Sequence, residues 1–151
     1  MKLVKIFSFI ILLTVLFTIP CKAQTSGGQA NAVMVCYGVD SSGTPLYAFK
    51  YDYVTEKPQF PGGNEKIDDF VLENFHYPEE AYNQGITGNV TCRFIVNKNG
   101  KISNISIFKG AHPLLNQEAM RIISSMPSWE PGRIDGVAVK VCVYRTVKFR
   151  R

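Results

Sequence analysis

The residues of this 151-residue chain that could do chemistry are few and scattered. Its four cysteines (Cys21, Cys36, Cys92 and Cys142) and two histidines (His76 and His112) have no C-x-x-C or H-x₃₋₅-H spacing, so no metal site is expected. The carboxylates Asp68-Asp69 and Glu79-Glu80 are adjacent, and adjacent residues do not face each other on a helix, whereas acid–base work needs convergent groups. Nucleophile elbow, zinc helix and phosphate loop have no match, so no catalytic residue, no cofactor and no enzyme is expected. What remains is backbone chemistry. A strand edge presents a row of N–H and C=O groups that an extended partner can pair with. The stretch best suited is the last one, where Val137, Val139, Lys140, Val141, Cys142, Val143, Tyr144 and Arg145 form a run free of proline.

That strand has to be positioned by the rest of the chain, which turns on one hairpin, Asn89 to Lys109. Asn99-Gly100 is a strong two-residue turn signal, because both turn residues must take φ > 0. A two-residue loop sets Phe94 opposite Ile105 and Cys92 opposite Ile107. With Val90 and Val96 these residues make an apolar face, while Thr91, Arg93, Asn104 and Ser106 point the other way. A pair of strands is unstable alone, so other elements must cover that face.

Upstream, Glu56 to Asn64 is a turn segment rich in Pro and Gly. Asn64 is expected to cap a helix whose Ile67, Phe70, Val71 and Phe75 share one side, ending near Asn74 because Tyr77 precedes Pro78. A short turn from Pro78 to Tyr82 closes at Gly85. Downstream, Leu115, Ala119, Ile122 and Met126 mark the buried stripe of the longest helix, Leu114 to Met126, stopped by Pro127. Trp129, the only tryptophan, is expected to plug one end of the core. The final strand, Val137 to Phe149, places Val137, Val139, Val141, Val143, Val147 and Phe149 on one face. The expected fold is α+β: a three-stranded antiparallel sheet of order 2-1-3 with two helices packed on one face, the last strand being an edge.

The first 23 residues read as a secretory signal peptide. Lys2 and Lys5 precede an apolar run from Ile6 to Ile19, then Pro20 and Cys21-Lys22-Ala23. The run is shorter than the ~17–25 residues of a spanning helix, so cleavage after Ala23 is expected, with an uncleaved anchor through residues 1–23 as the alternative. The mature chain is then expected to have no membrane span. Removing Lys2, Lys5 and Lys22 leaves 14 basic against 12 acidic residues, so the net charge falls from +5 to +2 and a nucleic-acid partner loses its support. Three cysteines remain, and Cys36 with Cys142 is the better-placed pair for a disulfide, since Cys92 and Cys142 lie on opposite sheet faces. Residues 24–57 form an extension with two apolar runs, Ala32–Val39 and Leu46–Val54, a possible N-terminal hairpin.

From about Pro58 to Arg151 the chain resembles the C-terminal domain of TonB, the energy transducer of outer-membrane transport. The residues that carry the resemblance are Tyr77-Pro78, Ala81, Gly85, Gly88, Val90, Phe94, Val96, Gly100 and Gly110. They continue through Leu114-Leu115, Glu118, Ala119, Trp129, Pro131-Gly132 and Val147-Lys148-Phe149. The resemblance implies a periplasmic location, a role in TonB-dependent transmembrane transport, and β-strand addition to a TonB-box-like segment of an outer-membrane receptor. Tyr77-Pro78 is then either a recognition corner or a structural stop between helices. The family's anchor and long Pro-rich arm have no counterpart in residues 24–57, so binding carries over more readily than force transmission. The competing expectation is a self-associating or structural module whose edge is covered by its own N-terminal segment or by a second copy, in a homodimer.

Overall fold

A computed structural model describes residues 34–39 and 42–151. The expected signal peptide lies outside the described residues. The elements run β1 (Met34–Val39), β2 (Pro45–Lys50), a 3-10 turn (Tyr51–Tyr53), α1 (Lys66–Asn74), α2 (Glu79–Asn83), β3 (Gly88–Val96), β4 (Ile102–Lys109), α3 (Pro113–Ser124), β5 (Arg133–Ile134), β6 (Val137–Ala138) and β7 (Val141–Phe149). The fold is α+β, with α1 and α3 packed on a mixed sheet of order β1-β2-β7-β3-β4.

The sheet therefore has five strands rather than three. β3 lies antiparallel between β4 and β7, and β1 pairs antiparallel with β2. β2 then joins β7 in parallel, at Phe49 opposite Val141 and Lys50 opposite Cys142. So β7 is not an edge along its whole length. The reason is local: β2 carries its own unpaired backbone groups, and the Phe49 N–H donates to the Lys140 carbonyl at 2.8 Å.

The last strand is also shorter than its valine pattern. Asp135 and Gly136 both have positive φ, at 50° and 78°, and make a two-residue turn that pairs Ile134 with Val137 and Arg133 with Ala138. Val137 to Lys140 are thereby drawn out of β7. The turn after β3 differs from expectation too. Gly100, at φ 80°, closes a three-residue loop in which its N–H donates to Asn97 and the Asn97 N–H donates to Lys101. Cys92 does face Ile107, but Ile95 faces Ser103, because a bulge intervenes where Asn104 takes φ 53°. A second irregularity separates Thr91 from Cys92, so β4 is bulged twice.

The core lies between the helices and the even-numbered residues of β3. Val90, Cys92, Phe94 and Val96 are fully buried against Leu115, Ala119, Ile122 and Ile123 of α3, Ile67 of α1, and Val141, Val147 and Phe149 of β7. Each large side chain contributes about 1.5–3 kcal/mol by leaving water. Trp129 fills one end, with edge-on contacts to Phe60 and Phe94 at 5.6 Å each. The Pro/Gly segment before α1 is docked as well: Glu56 pairs with Arg133, and Gln59 with Glu130. Asn64 serves this segment rather than the helix. Its Oδ1 accepts from the Phe60 N–H at 3.0 Å, and α1 begins at a Glu65 N-cap without a side-chain cap.

On the opposite sheet face Ala48, Ile95 and Cys142 form a smaller buried cluster. Cys142 is a buried thiol on this face, opposite the one that carries Cys92. The strand order bears on the Cys36–Cys142 pair considered above. Cys36 belongs to β1, two strands away, and two strand spacings of about 4.8 Å exceed the Cα reach of a disulfide.

Candidate peptide-binding edge

Beyond Cys142, no strand among the described residues pairs with the outer side of β7. The direction of its backbone groups follows from one bond. The Lys140 carbonyl points to β2, and the β3–β7 register runs unbroken from Val96 opposite Val141 to Gly88 opposite Phe149. Backbone groups alternate sides along a strand, so Cys142, Tyr144, Thr146 and Lys148 turn theirs outward, while Val141, Val143, Arg145, Val147 and Phe149 pair with β3.

A groove of about 330 Å³ follows this edge, lined by the consecutive residues Tyr144 to Lys148 and by Ile67, Asp68, Val71 and Ile123. Consecutive residues point to opposite sheet faces, so they can line one groove only along their shared backbone edge. The far wall is α1. At the N-terminal end of this groove, where the Tyr51–Tyr53 turn carries the chain away from β7, a second cavity of about 270 Å³ is lined by Tyr51, Trp129, Val143, Tyr144 and Arg145.

Side chains flanking the edge differ by face. Arg145 interrupts the apolar helix-side face of β7 and lines both spaces. On the other face Tyr144 stacks edge-on against exposed Phe108 at 5.0 Å. Partial burial, then the neighbouring Cys142, raise the Tyr144 pKa against a smaller lowering by Arg93.

Of the residues expected to form the pairing edge, Val143, Tyr144 and Arg145 lie on the open part. Val141 and Cys142 lie where β2 already pairs, Lys140 bonds β2 through its carbonyl, Val137 is in β6 and Val139 donates to Gly132. Thr146, Val147 and Lys148 line the groove but were not among the expected pairing residues. The Asp135-Gly136 dipeptide signals the early turn that moves the edge C-terminally. Tyr77 and Pro78 are placed elsewhere. The Tyr77 hydroxyl donates to the Ile86 carbonyl, and its ring packs on Phe75, Tyr82 and Phe149, which ties the α1–α2 corner to the core.

A second polar anchor locks the far wall in place. Glu118 of α3, 7% exposed, accepts from Arg121 Nε and Nη2 at 2.7 and 2.6 Å and from the His76 N–H at 3.0 Å, while Arg121 also donates to the Asn74 carbonyl. Burial raises the Glu118 pKa, but the bonds from Arg121 and His76 outweigh it, and the carboxyl lies below its ordinary value of 4.5. His112 acts as the α3 N-cap, its Nδ1 accepting the Leu114 N–H. Among the described residues, no group of three or more His, Cys, Asp or Glu is arranged to hold a metal ion, and no helix is long and apolar enough to cross a membrane.

Residues 73–150, just over half of the chain, match the family described as Gram-negative bacterial TonB protein C-terminal. The chain belongs to this TonB C-terminal family. Two solution NMR structures of the Helicobacter pylori TonB C-terminal domain are similar to it at 22% identity over 58% of the chain. They have TM-scores of 0.43 and 0.42 and are covered over 81% and 95% of their own lengths. A comparison with curated proteins found no match. Within the matched span lie α2, β3, β4, α3 and the whole of β7, whereas β1, β2 and the Pro/Gly segment precede it.

Proposed function

We propose that this TonB C-terminal domain is periplasmic and binds an extended segment of an outer-membrane receptor, in TonB-dependent transport, by adding it as a strand beside β7 from Val143 to Phe149. The observation that carries the reading is the groove lined by Tyr144 to Lys148, with α1 as its other wall. Family membership supplies the class of partner. The charged start and short apolar run of residues 1–23 support export with cleavage after Ala23. Tyr144, Thr146 and Lys148 each offer an outward N–H and C=O, so an added strand gains up to about six backbone bonds at ~0.5–1.5 kcal/mol net apiece. Ordering the peptide removes a good part of that, which puts affinity near micromolar or weaker. Lys148 beside the groove favours an acidic segment at low salt.

The test is a proline scan read by parity. Proline at Tyr144 or Thr146 removes an outward donor, and is expected to abolish peptide binding while the domain stays folded. Proline at Val143 or Val147 removes a ladder donor to β3 and is expected to unfold the domain. Undiminished binding by folded Tyr144→Pro and Thr146→Pro proteins would rule the edge out.

A second reading has its own observation. β2 already occupies β7 at Val141 and Cys142, held by the bond from Phe49 to Lys140. In that reading the N-terminal hairpin, or a second copy, is the intended cover and the domain is structural. A concentration-dependent dimer that dissociates when Tyr144 becomes proline would favour it over the receptor.

A further inference from the structure

We propose that the notch where the chain of β2 leaves β7 is a carboxylate subsite, in which Arg145 and Trp129 receive the side chain of an aspartate or glutamate carried by the strand that adds to β7. The inference rests on the strand-addition reading and names what that strand must carry. Among the described residues, two buried side-chain donors have no hydrogen-bond partner, Arg145 Nε and Trp129 Nε1. Both residues line the same 270 Å³ cavity, with Tyr51, Val143 and Tyr144. Buried donors are ordinarily satisfied, so two of them around one cavity mark a place for an acceptor. Trp129 is 4% exposed, and its ring is fixed by Phe60 and Phe94, so its N–H cannot turn to solvent.

The acceptor is best supplied by a carboxylate. A guanidinium presents a planar fork of donors matched to two carboxylate oxygens, and Trp129, lining the same cavity, has an indole N–H as a further donor. An amide or hydroxyl has one such oxygen and no charge. Arg145 is also the one charged side chain on the helix-side face of β7, whereas Lys148 belongs to the other face. Further along the groove the wall carries Asp68, which repels an acid placed there. A strong preference for an acid is therefore expected at the one position of the added strand that reaches the notch, above the weak, salt-screened attraction of Lys148.

The experiment uses the full chain and N-acetylated, C-amidated eight-residue peptides of alternating Thr and Val. Each carries a single Glu, or in a matched set a single Gln, at one position. Calorimetry gives affinity, and the fluorescence of Trp129, the only tryptophan, reports on the notch. At one position Glu is expected to bind roughly tenfold or more tightly than Gln and to shift the Trp129 emission. Arg145→Gln is expected to erase that preference, and Arg145→Lys to restore it only in part, because the fork is lost. Arg145→Met, which keeps the apolar stem, replaces the glutamine variant if that protein does not fold. Equal binding of Glu and Gln peptides at every position, still abolished by Tyr144→Pro, overturns the subsite and leaves strand addition standing. A Glu preference that survives loss of the Arg145 charge also overturns the subsite. Binding by no peptide of either set overturns strand addition and the subsite with it.

Discussion

Replacing Gly100 by alanine separates two costs that usually arrive together. Gly100 has φ 80°, and a Cβ there falls 1.9 Å from the Trp129 carbonyl oxygen, a contact no structure tolerates. Gly136 has nearly the same φ, 78°, with nothing within 4 Å of its Cβ position. Gly136→Ala therefore measures the left-handed conformation alone, about 1–2 kcal/mol. Gly100→Ala adds a forced retreat of the Trp129 backbone. That retreat breaks the 2.9 Å bond from the Trp129 N–H to the Gly100 carbonyl, about 1 kcal/mol. It also disturbs the ring contacts with Phe60 and Phe94, at about 0.5–1.5 kcal/mol each. The expected total is about 3–6 kcal/mol, against a whole-domain stability on the order of 5–15 kcal/mol. Equilibrium urea unfolding followed by Trp129 fluorescence reads both variants directly, with an unchanged m-value as the check on two-state behaviour. Losses that agree to within about 1 kcal/mol would refute the argument, since the turn and Trp129 would then move independently.

Three further outcomes are expected. Glu118→Gln removes a charge held by Arg121 and the His76 N–H, and is expected to cost about 1–2 kcal/mol at neutral pH, allowing for the half-exposed Arg121. The folded carboxyl titrates below 4.5, so its stabilisation is present above that value and lost as pH falls through the folded pKa. Urea midpoints of the two proteins should therefore converge in acid, and a constant gap from pH 7 to pH 3 contradicts this assignment. Cys92 and Cys142 are both expected to resist iodoacetamide in the folded protein at pH 8, Cys92 also because burial pushes its thiol up to about 11. Rapid modification of either, located by peptide mass, would mean the sheet is open there. Deleting the chain before Tyr51 removes β2 and is expected to leave the main core folded, make Cys142 reactive and lengthen the peptide register by two residues. An unchanged Cys142 rate in that truncated protein would show that β2 is not its cover.

The hydrophobic skeleton was legible from side-chain period alone. Alternation in β3 assigned Val90, Cys92, Phe94 and Val96 to one face, and the i, i+4, i+7 spacing of Leu115, Ala119 and Ile122 assigned α3 to cover them. Those patterns have strong physical causes, because a one-residue slip would bury Arg93 in place of Phe94. The backbone detail was less legible. Asn99-Gly100 and Asp135-Gly136 carry the same turn signal, yet only the second makes the two-residue turn, since Gly100 is held by the Trp129 backbone in a longer loop. The valines at 137 and 139 continue the period of β7 but belong to different backbone, which shifted the expected edge by several residues. Parallel pairing of β2 with β7 has no side-chain signature over two residue pairs. Arg145 was legible as a break in the apolar alternation, but its partnerless Nε is a property of packing.

The two bulges of β4 set the valence of the domain. An eight-residue outer strand interrupted near Asn104 and again between Ile107 and Lys109 cannot offer a straight run of donors to a neighbour, so the sheet does not grow from that side. A strand added beside β7 has α1 at its back, because the groove that admits it is walled by Ile67, Asp68 and Val71. Its own new edge is thus screened as soon as it forms. On the proposed mode of binding a guest at β7 would therefore not template a further strand beside itself, and β4 offers no straight edge on its own side of the sheet.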